Sequence, residues 1–294
     1  MTTTTTSLGP EFTPTTIKRI ISLTCILSIG CVITEAIFTQ ILKIPGPLAF
    51  LGLSWWGISN FFIWQPLSYL FVYGSPGAPI SLFWIIGLFF NMYILWIMGT
   101  FVLDLIGEKS FLKLYFGSGI FAALITLLSM PLFGQYTALS GPAAAVLAVL
   151  TVWTMFNPES QLMLFFILPI KAKWLVITAI GIIALINFTN LNFISIIYYL
   201  SGATFGYCYS VIAWGLQSPF PITHRFDETL TRFSHPWAHN SSGKIIDLAK
   251  ARKMQKNEEF MDEMLEKISK HGKDSLSWWE KRKMRKISET KNGK

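Results

Sequence analysis

Long apolar runs separated by short polar segments dominate the first 220 residues of the chain. A bilayer core about 30 Å thick requires roughly 20 apolar residues in a spanning helix. Runs of suitable length lie at about residues 17–42, 81–103, 111–132, 172–188 and 193–217, and a shorter one lies at about 141–156. This pattern predicts an all-α, polytopic membrane protein with about six spanning helices.

The segment between the first two runs is not expected to span the membrane. Prolines and glycines interrupt it at Pro45, Gly46, Pro47, Pro66, Gly74, Pro76 and Gly77. It also contains Trp55, Trp56 and Trp64, and tryptophan is enriched where a bilayer meets water. We therefore predict a segment that lies at the membrane interface.

The two ends of the chain differ from its apolar middle. Residues 1–16 are rich in threonine and lack the features of a cleaved signal, which predicts a short disordered leader before a membrane domain at 17–217. A linker at 218–244 and a basic, helical cytosolic tail at 245–294 complete the predicted organisation.

The tail carries two helix signals. Apolar residues recur at helical spacing and precede a glycine stop at Gly272; they are Phe260, Met261, Met264, Leu265 and Ile268. Ser277 and Glu280 then have the spacing of a capping box, which predicts a second helix. The tail either packs its own small apolar face as a helical hairpin, or contacts a partner or a lipid surface through its tryptophans and basic cluster.

The formal charge of +8 arises largely from the tail, which holds most of the basic residues together with many acids. Topology explains this distribution better than a nucleic-acid partner does. With the N-terminus inside, the short inner segments carry Lys18, Arg19, Lys109, Lys113, Lys171 and Lys173, whereas the outer segments carry only Lys43. The positive-inside rule therefore predicts that both termini are cytoplasmic.

Several short sequences resemble the rhomboid domain over about residues 60–217. In the first half they are Trp64-Gln-Pro-Leu-Ser-Tyr-Leu-Phe-Val-Tyr-Gly74, Leu88-Phe-Phe-Asn91, Leu95-Trp-Ile-Met-Gly99, Asp104-Leu-Ile-Gly107, Phe111 and Tyr115. In the second half they are Ala138-Leu-Ser140-Gly141 and Tyr199-Leu-Ser-Gly202-Ala-Thr-Phe-Gly206. The tail is similar to a small C-terminal motif of many bacterial rhomboids.

The resemblance implies an intramembrane serine protease fold in a bacterial inner membrane, with a cavity that opens to the extracytoplasmic side. It implies Ser140 at the position of the nucleophile, Asn91 at a position that helps to bind the oxyanion, and Tyr199 at the position of the expected histidine. It implies no cofactor and no metal. The expected partners are membrane lipids and transmembrane client or substrate proteins, and no nucleic acid.

Tyr199 is the most consequential departure from the family pattern. A serine hydroxyl needs a base, and a phenol with a pKa of about 10 does not accept a proton at neutral pH. All four histidines follow the last apolar run, and no lysine lies within the apolar part of a span. Gly87, Ala138 and Gln65 also replace residues that are common in the family.

Simpler interpretations exist for each candidate residue. Ser140 could be a helix N-cap, and Asn91 could form an interhelical hydrogen bond. Glu35, inside the first span, is a functional candidate that is either protonated or reaches the outer interface. A group of glycines is predicted to allow close helix packing: Gly99, Gly107, Gly202 and Gly206. Cys25, Cys31 and Cys208 have no paired spacing and are interpreted as small apolar residues.

The sequence is compatible with three functional hypotheses. The leading hypothesis is a rhomboid pseudoprotease that binds transmembrane segments of client proteins. The second is an active intramembrane serine endopeptidase that uses Ser140 with an unusual base. The third is a transporter, channel or assembly factor, which is disfavoured because few ionisable residues lie within the spans.

Overall fold

Ten α-helices, three short π- or 3-10-helical segments and one short hairpin form the regular structure of the described part of the membrane unit in a computed structural model. The structure describes residues 12–77, 81–164 and 168–216, with several residues in 218–230 and 260–284. The helices are α1 Thr15–Ala36, α2 Pro47–Leu51, α3 Trp55–Ser59, α4 Gln65–Ser68, α5 Leu82–Ile94, α6 Thr100–Ile106, α7 Glu108–Phe133, α8 Ala143–Phe156, α9 Ala172–Thr189 and α10 Phe193–Trp214. The predicted all-α, polytopic fold is thus confirmed.

Within the part of the chain that the structure describes, five helical segments are long and apolar enough to cross a membrane. They are Thr15–Thr39, Leu82–Ile106, Glu108–Phe133, Ala172–Thr189 and Phe193–Trp214. The second is continuous because a π-helical turn at Leu95–Gly99 joins α5 to α6. Their outward-facing residues are large and apolar, which suits contact with lipid tails.

The sixth predicted span, α8, differs from the other five. It has 14 residues and a length of about 21 Å, which is shorter than a bilayer core. Every residue from 144 to 156 is buried, because α8 packs against α5, α6, α7, α9 and α10. Helix α8 is therefore the centre of the bundle, and protein replaces lipid around it.

The loop after α8 contains the hairpin, which the sequence pattern did not predict. Strands β1, Gln161–Leu164, and β2, Leu168–Lys171, pair antiparallel with Gln161 opposite Lys171. Beside the hairpin, Glu159 forms ion pairs with Lys173 at 2.7 Å and Lys171 at 3.0 Å. These hydrogen bonds lower the pKa of Glu159 to about 2.

Short helices α2, α3 and α4 lie between the first and second spans, so this segment does not cross the membrane, as predicted. Trp56 and Trp64 are about half exposed.

The last 55 residues, 240–294, form a separate compact unit. There the predicted capping box is confirmed: the Ser277 N–H donates to Glu280 at 2.7 Å, and the Glu280 N–H donates to Ser277 Oγ at 3.3 Å.

Glu280 also links two parts of that unit, since its carboxylate forms an ion pair with Lys267 at 2.8 Å. The hydrogen bond from Lys267, followed by the backbone N–H of Ser277, lowers the pKa of Glu280. Together with buried Met264, this contact supports the helical-hairpin interpretation of the tail. Gly272 and Trp278 lie outside the described residues.

Candidate functional site

The turn that carries Ser140 is fixed by backbone hydrogen bonds. Leu139 and Leu53 exchange two N–H to C=O bonds of 2.7 and 2.8 Å, and the Gly141 N–H donates to the Tyr69 carbonyl at 2.9 Å. Gly141 has φ +107°, a conformation that glycine adopts without strain. The residues on both sides of Ser140 are therefore held in place before α8 begins.

The Ser140 hydroxyl is bonded to the backbone of Gly74, in the loop before α5. It donates to the Gly74 carbonyl and accepts from the Gly74 N–H at 3.0 Å. The N-cap interpretation of Ser140 is wrong, because Pro142 occupies the N-cap position of α8 and the Ser140 hydroxyl bonds to Gly74. Ser140 instead connects the start of α8 to the loop opposite.

Tyr199 does not hydrogen-bond to Ser140; within the described residues, its hydroxyl has no hydrogen-bond partner. The residue before it makes the polar contacts with this turn. Tyr198 is buried, and its hydroxyl donates to the Gly141 carbonyl at 2.7 Å and accepts from the Ala144 N–H at 3.3 Å. Successive helical residues point about 100° apart, so only one of the two tyrosines can face α8.

Below Tyr198, two glycines continue the same face of α10 at intervals of four residues. A Cβ on Gly202 would lie 2.8 Å from the carbonyl carbon of Ala144, and one on Gly206 would lie 2.6 Å from the Ala148 oxygen. The predicted packing role of these two glycines is confirmed. Gly107 instead has φ +80° between α6 and α7 and open space around it, so the prediction of close packing there is wrong.

The Tyr73 side chain occupies the space between α5 and the Ser140 turn, a position that the sequence pattern does not predict. A Cβ on Gly141 would lie 2.6 Å from the ring of Tyr73, and a Cβ on Gly87 would collide with the Tyr73 hydroxyl. The Trp84 indole donates to the Tyr73 carbonyl at 2.9 Å. The absence of side chains at two distant glycines is the only sequence signal for this arrangement.

Asn91 uses its side-chain amide within its own helix. Its Nδ2 donates to the Gly87 carbonyl, four residues earlier in α5, at 2.8 Å. Within the described residues it forms no hydrogen bond with Ser140 or with another helix. The structure therefore places Asn91 on the helix that borders the site without bringing its amide to the serine.

Gln65 is fully buried and organises the segment between the first two spans. Its Oε1 accepts from the Ser54 N–H at 3.1 Å, and its Nε2 donates to the carbonyls of Ala49 at 3.2 Å and Phe50 at 3.4 Å. One neutral amide thus satisfies three backbone groups in α2 and at the start of α3. This arrangement gives the residue that follows Trp64 a structural role.

Glu35 is also buried, with 2% of its surface exposed. Its carboxylate accepts from the Leu48 N–H at 3.0 Å and from the Gly77 N–H at 3.1 Å. It therefore joins the end of α1 to α2 and to the loop that contains Gly74, the partner of Ser140. The sequence left the role of Glu35 open, and these bonds give it a structural one.

We expect Glu35→Ala to lower the free energy of unfolding by about 1 to 3 kcal/mol, because the buried Leu48 N–H would lose its acceptor and the exposed Gly77 would lose a hydrogen bond. Glu35→Gln retains one acceptor oxygen, so its loss is expected to be about half as large. Unfolding in sodium dodecyl sulfate, starting from detergent micelles, measures both. An alanine variant as stable as the unchanged protein would contradict this role for the carboxylate.

The sequence model of the Rhomboid domain matches residues 60–216, which is more than half of the chain. The chain belongs to the rhomboid family. Its rhomboid domain therefore includes α4 to α10 and every residue of the Ser140 turn. An integral membrane protein in contact with lipid follows from this family and from the apolar helices.

Two curated relatives share a short stretch with this rhomboid. The mitochondrial presenilin-associated rhomboid-like protein of Rattus norvegicus is 26% identical over 77 residues, which is 26% of this chain and 20% of that protein. Its counterpart in Bos taurus is 25% identical over the same length, with the same coverage of both proteins. The matched region spans about a fifth of the length of these relatives.

Proposed function

We propose that this rhomboid is a pseudoprotease that binds transmembrane segments of client proteins without cleaving them. The observation that carries the proposal is the hydroxyl of Ser140, which donates to the Gly74 carbonyl. A nucleophilic serine must give its proton to a base, and a backbone carbonyl is not a useful base. Tyr199, at the position of the expected histidine, supplies no hydrogen bond to replace it.

The packing around the serine also supports binding without cleavage. A scissile carbonyl has to come within about 3 to 3.5 Å of the attacking oxygen. The Tyr73 ring lies against Gly141, beside the serine, and Asn91 donates to its own helix. A substrate could reach Ser140 only after Tyr73 moved and the bonds with Gly74 broke.

The outer helices support the binding of client segments. Only 11% of the most apolar stretch of α9 is buried, and α5 exposes large side chains such as Phe83 and Phe89. Packing between membrane helices comes from van der Waals contact and interhelical hydrogen bonds, so a client helix can replace lipid on such faces. We propose a bacterial inner membrane and cytoplasmic termini, supported by the tail resemblance and the distribution of lysine and arginine.

We expect a fluorophosphonate probe to label neither the purified rhomboid nor its Ser140→Ala variant above background. An active intramembrane serine protease of known reactivity serves as the positive control.

A synthetic single-span substrate, reconstituted with the rhomboid, should remain intact but become crosslinked to a photoreactive residue at Phe89. The same residue at Leu128, equally exposed on α7, is the matched control and should crosslink much less.

Cleavage that depends on Ser140 would overturn the proposal and establish the active endopeptidase. Equal crosslinking from Phe89 and Leu128 would remove the support for a client-binding face.

We also expect Tyr199→His to remain inactive toward the same substrate. A histidine there would still find the Ser140 hydroxyl bonded to Gly74 and the Tyr73 ring beside Gly141. Gel electrophoresis or mass spectrometry of the reaction products measures cleavage of the substrate. Cleavage by the single variant at rates well above the Ser140→Ala, Tyr199→His double variant would show that the serine is freely available.

A further inference from the structure

A cavity of about 240 Å³ lies at the opposite end of the bundle from Ser140. Asp104, near the end of α6, and Ser160, just after α8, line its mouth. This end also carries Glu108 at the start of α7 and the Glu159, Lys171 and Lys173 ion pairs. Charged residues of this density mark the level of the lipid headgroups.

The walls of the cavity combine apolar rings with oxygen atoms. Phe101 and Trp153 meet edge to face at a centroid distance of 6.4 Å. Asp104 is exposed and forms no ion pair among the described residues.

We propose that this cavity binds the primary ammonium of a phosphatidylethanolamine headgroup. An ammonium has three N–H donors and no acceptor, and the Asp104 carboxylate and the Ser160 hydroxyl offer oxygen acceptors for them. A carboxylate makes such a hydrogen bond charge-assisted, and the aromatic rings add a cation–π contribution. A choline headgroup has no N–H donor, so these oxygens distinguish the two lipids.

A lipid headgroup suits the position of the cavity better than a protein lysine. The side of the cavity is open, and Phe101 is 42% exposed on the outward face of α6. Lipids surround this face in a membrane, and the charged residues at this end indicate that phospholipid headgroups lie near the level of Asp104. A phosphatidylethanolamine among these lipids would bring its ammonium beside the cavity. The assignment is independent of whether the Ser140 site binds clients.

Native mass spectrometry of the full chain in detergent tests the assignment. Short-chain dioctanoyl-phosphatidylethanolamine and dioctanoyl-phosphatidylcholine are titrated separately. We expect the ethanolamine lipid to bind about tenfold more tightly, as one charge-assisted hydrogen bond allows. Asp104→Asn has the same shape without the charge and should remove this preference.

Glu108→Gln is the matched control, because it removes an acid at the same end of the bundle but outside the cavity. It should retain the full preference for phosphatidylethanolamine. Equal binding of the two lipids to the unchanged protein would overturn the proposal. So would a preference that survives Asp104→Asn or disappears in Glu108→Gln.

The last part of the experiment uses a synthetic spanning peptide that ends in lysine, to test a lysine side chain as the ligand of the cavity. If the peptide binds in an Asp104-dependent way while the two lipids bind equally, the cavity takes a lysine side chain and the lipid assignment is wrong. Thermal unfolding without added lipid establishes that each variant is folded, as expected for a change at the exposed Asp104.

Discussion

Gly202→Ala is expected to lower the free energy of unfolding by about 1 to 3 kcal/mol, the range found for overpacked cores. A Cβ there would lie 2.8 Å from the carbonyl carbon of Ala144, much closer than an ordinary contact. The neighbouring atoms belong to the backbone of α8 and cannot rotate away as a side chain would. The two helices would have to separate, and the contact of Tyr198 with the Ser140 turn would be lost with them.

Gly181→Ala is the matched control, since it makes the same change in a membrane helix at a position with no atom within 4 Å of the new Cβ. It should be neutral, or stabilising by up to about 1 kcal/mol through helix propensity. Unfolding in sodium dodecyl sulfate compares the two variants directly. Equal stability of both would show that α8 and α10 do not depend on this close approach.

The sequence predicted the spanning helices because the bilayer sets their length. Five apolar runs long enough for the membrane are five long helices. Helix α8 is equally apolar but shorter, and its sequence does not reveal that protein surrounds it on all sides. The β1–β2 hairpin was missed for a related reason: residues 161–171 are apolar almost throughout and show no alternation that would indicate a strand.

The position of the candidate site could be predicted from the sequence, but the contacts of its residues could not. Family motifs identified Ser140, Asn91 and Tyr199 by position alone. The partner of Ser140 is Gly74, 66 residues earlier, and no local pattern connects them. The position of the Tyr73 side chain depends on the small size of Gly87 and Gly141, and both glycines lie beside it only in the folded bundle.

The two adjacent tyrosines of α10 illustrate this limit and provide a test of it. Tyr198→Phe is expected to lower the free energy of unfolding by about 1 to 3 kcal/mol, because the Gly141 carbonyl and the Ala144 N–H would lose a buried partner. The ring itself would remain in place against Tyr69, which it meets edge to face. Only the hydroxyl is removed, so the loss measures its hydrogen bonds.

Tyr199→Phe removes the same atom one residue later and serves as the control. Its hydroxyl has no hydrogen bond within the described residues, so the expected change is below about 0.5 kcal/mol. Unfolding of both variants under identical detergent conditions gives the comparison. A larger loss from Tyr199→Phe than from Tyr198→Phe would mean that the residue at the expected histidine position does support the serine, contrary to the geometry. The expected order instead assigns the support of the Ser140 turn to Tyr198, the residue before the position of the expected histidine.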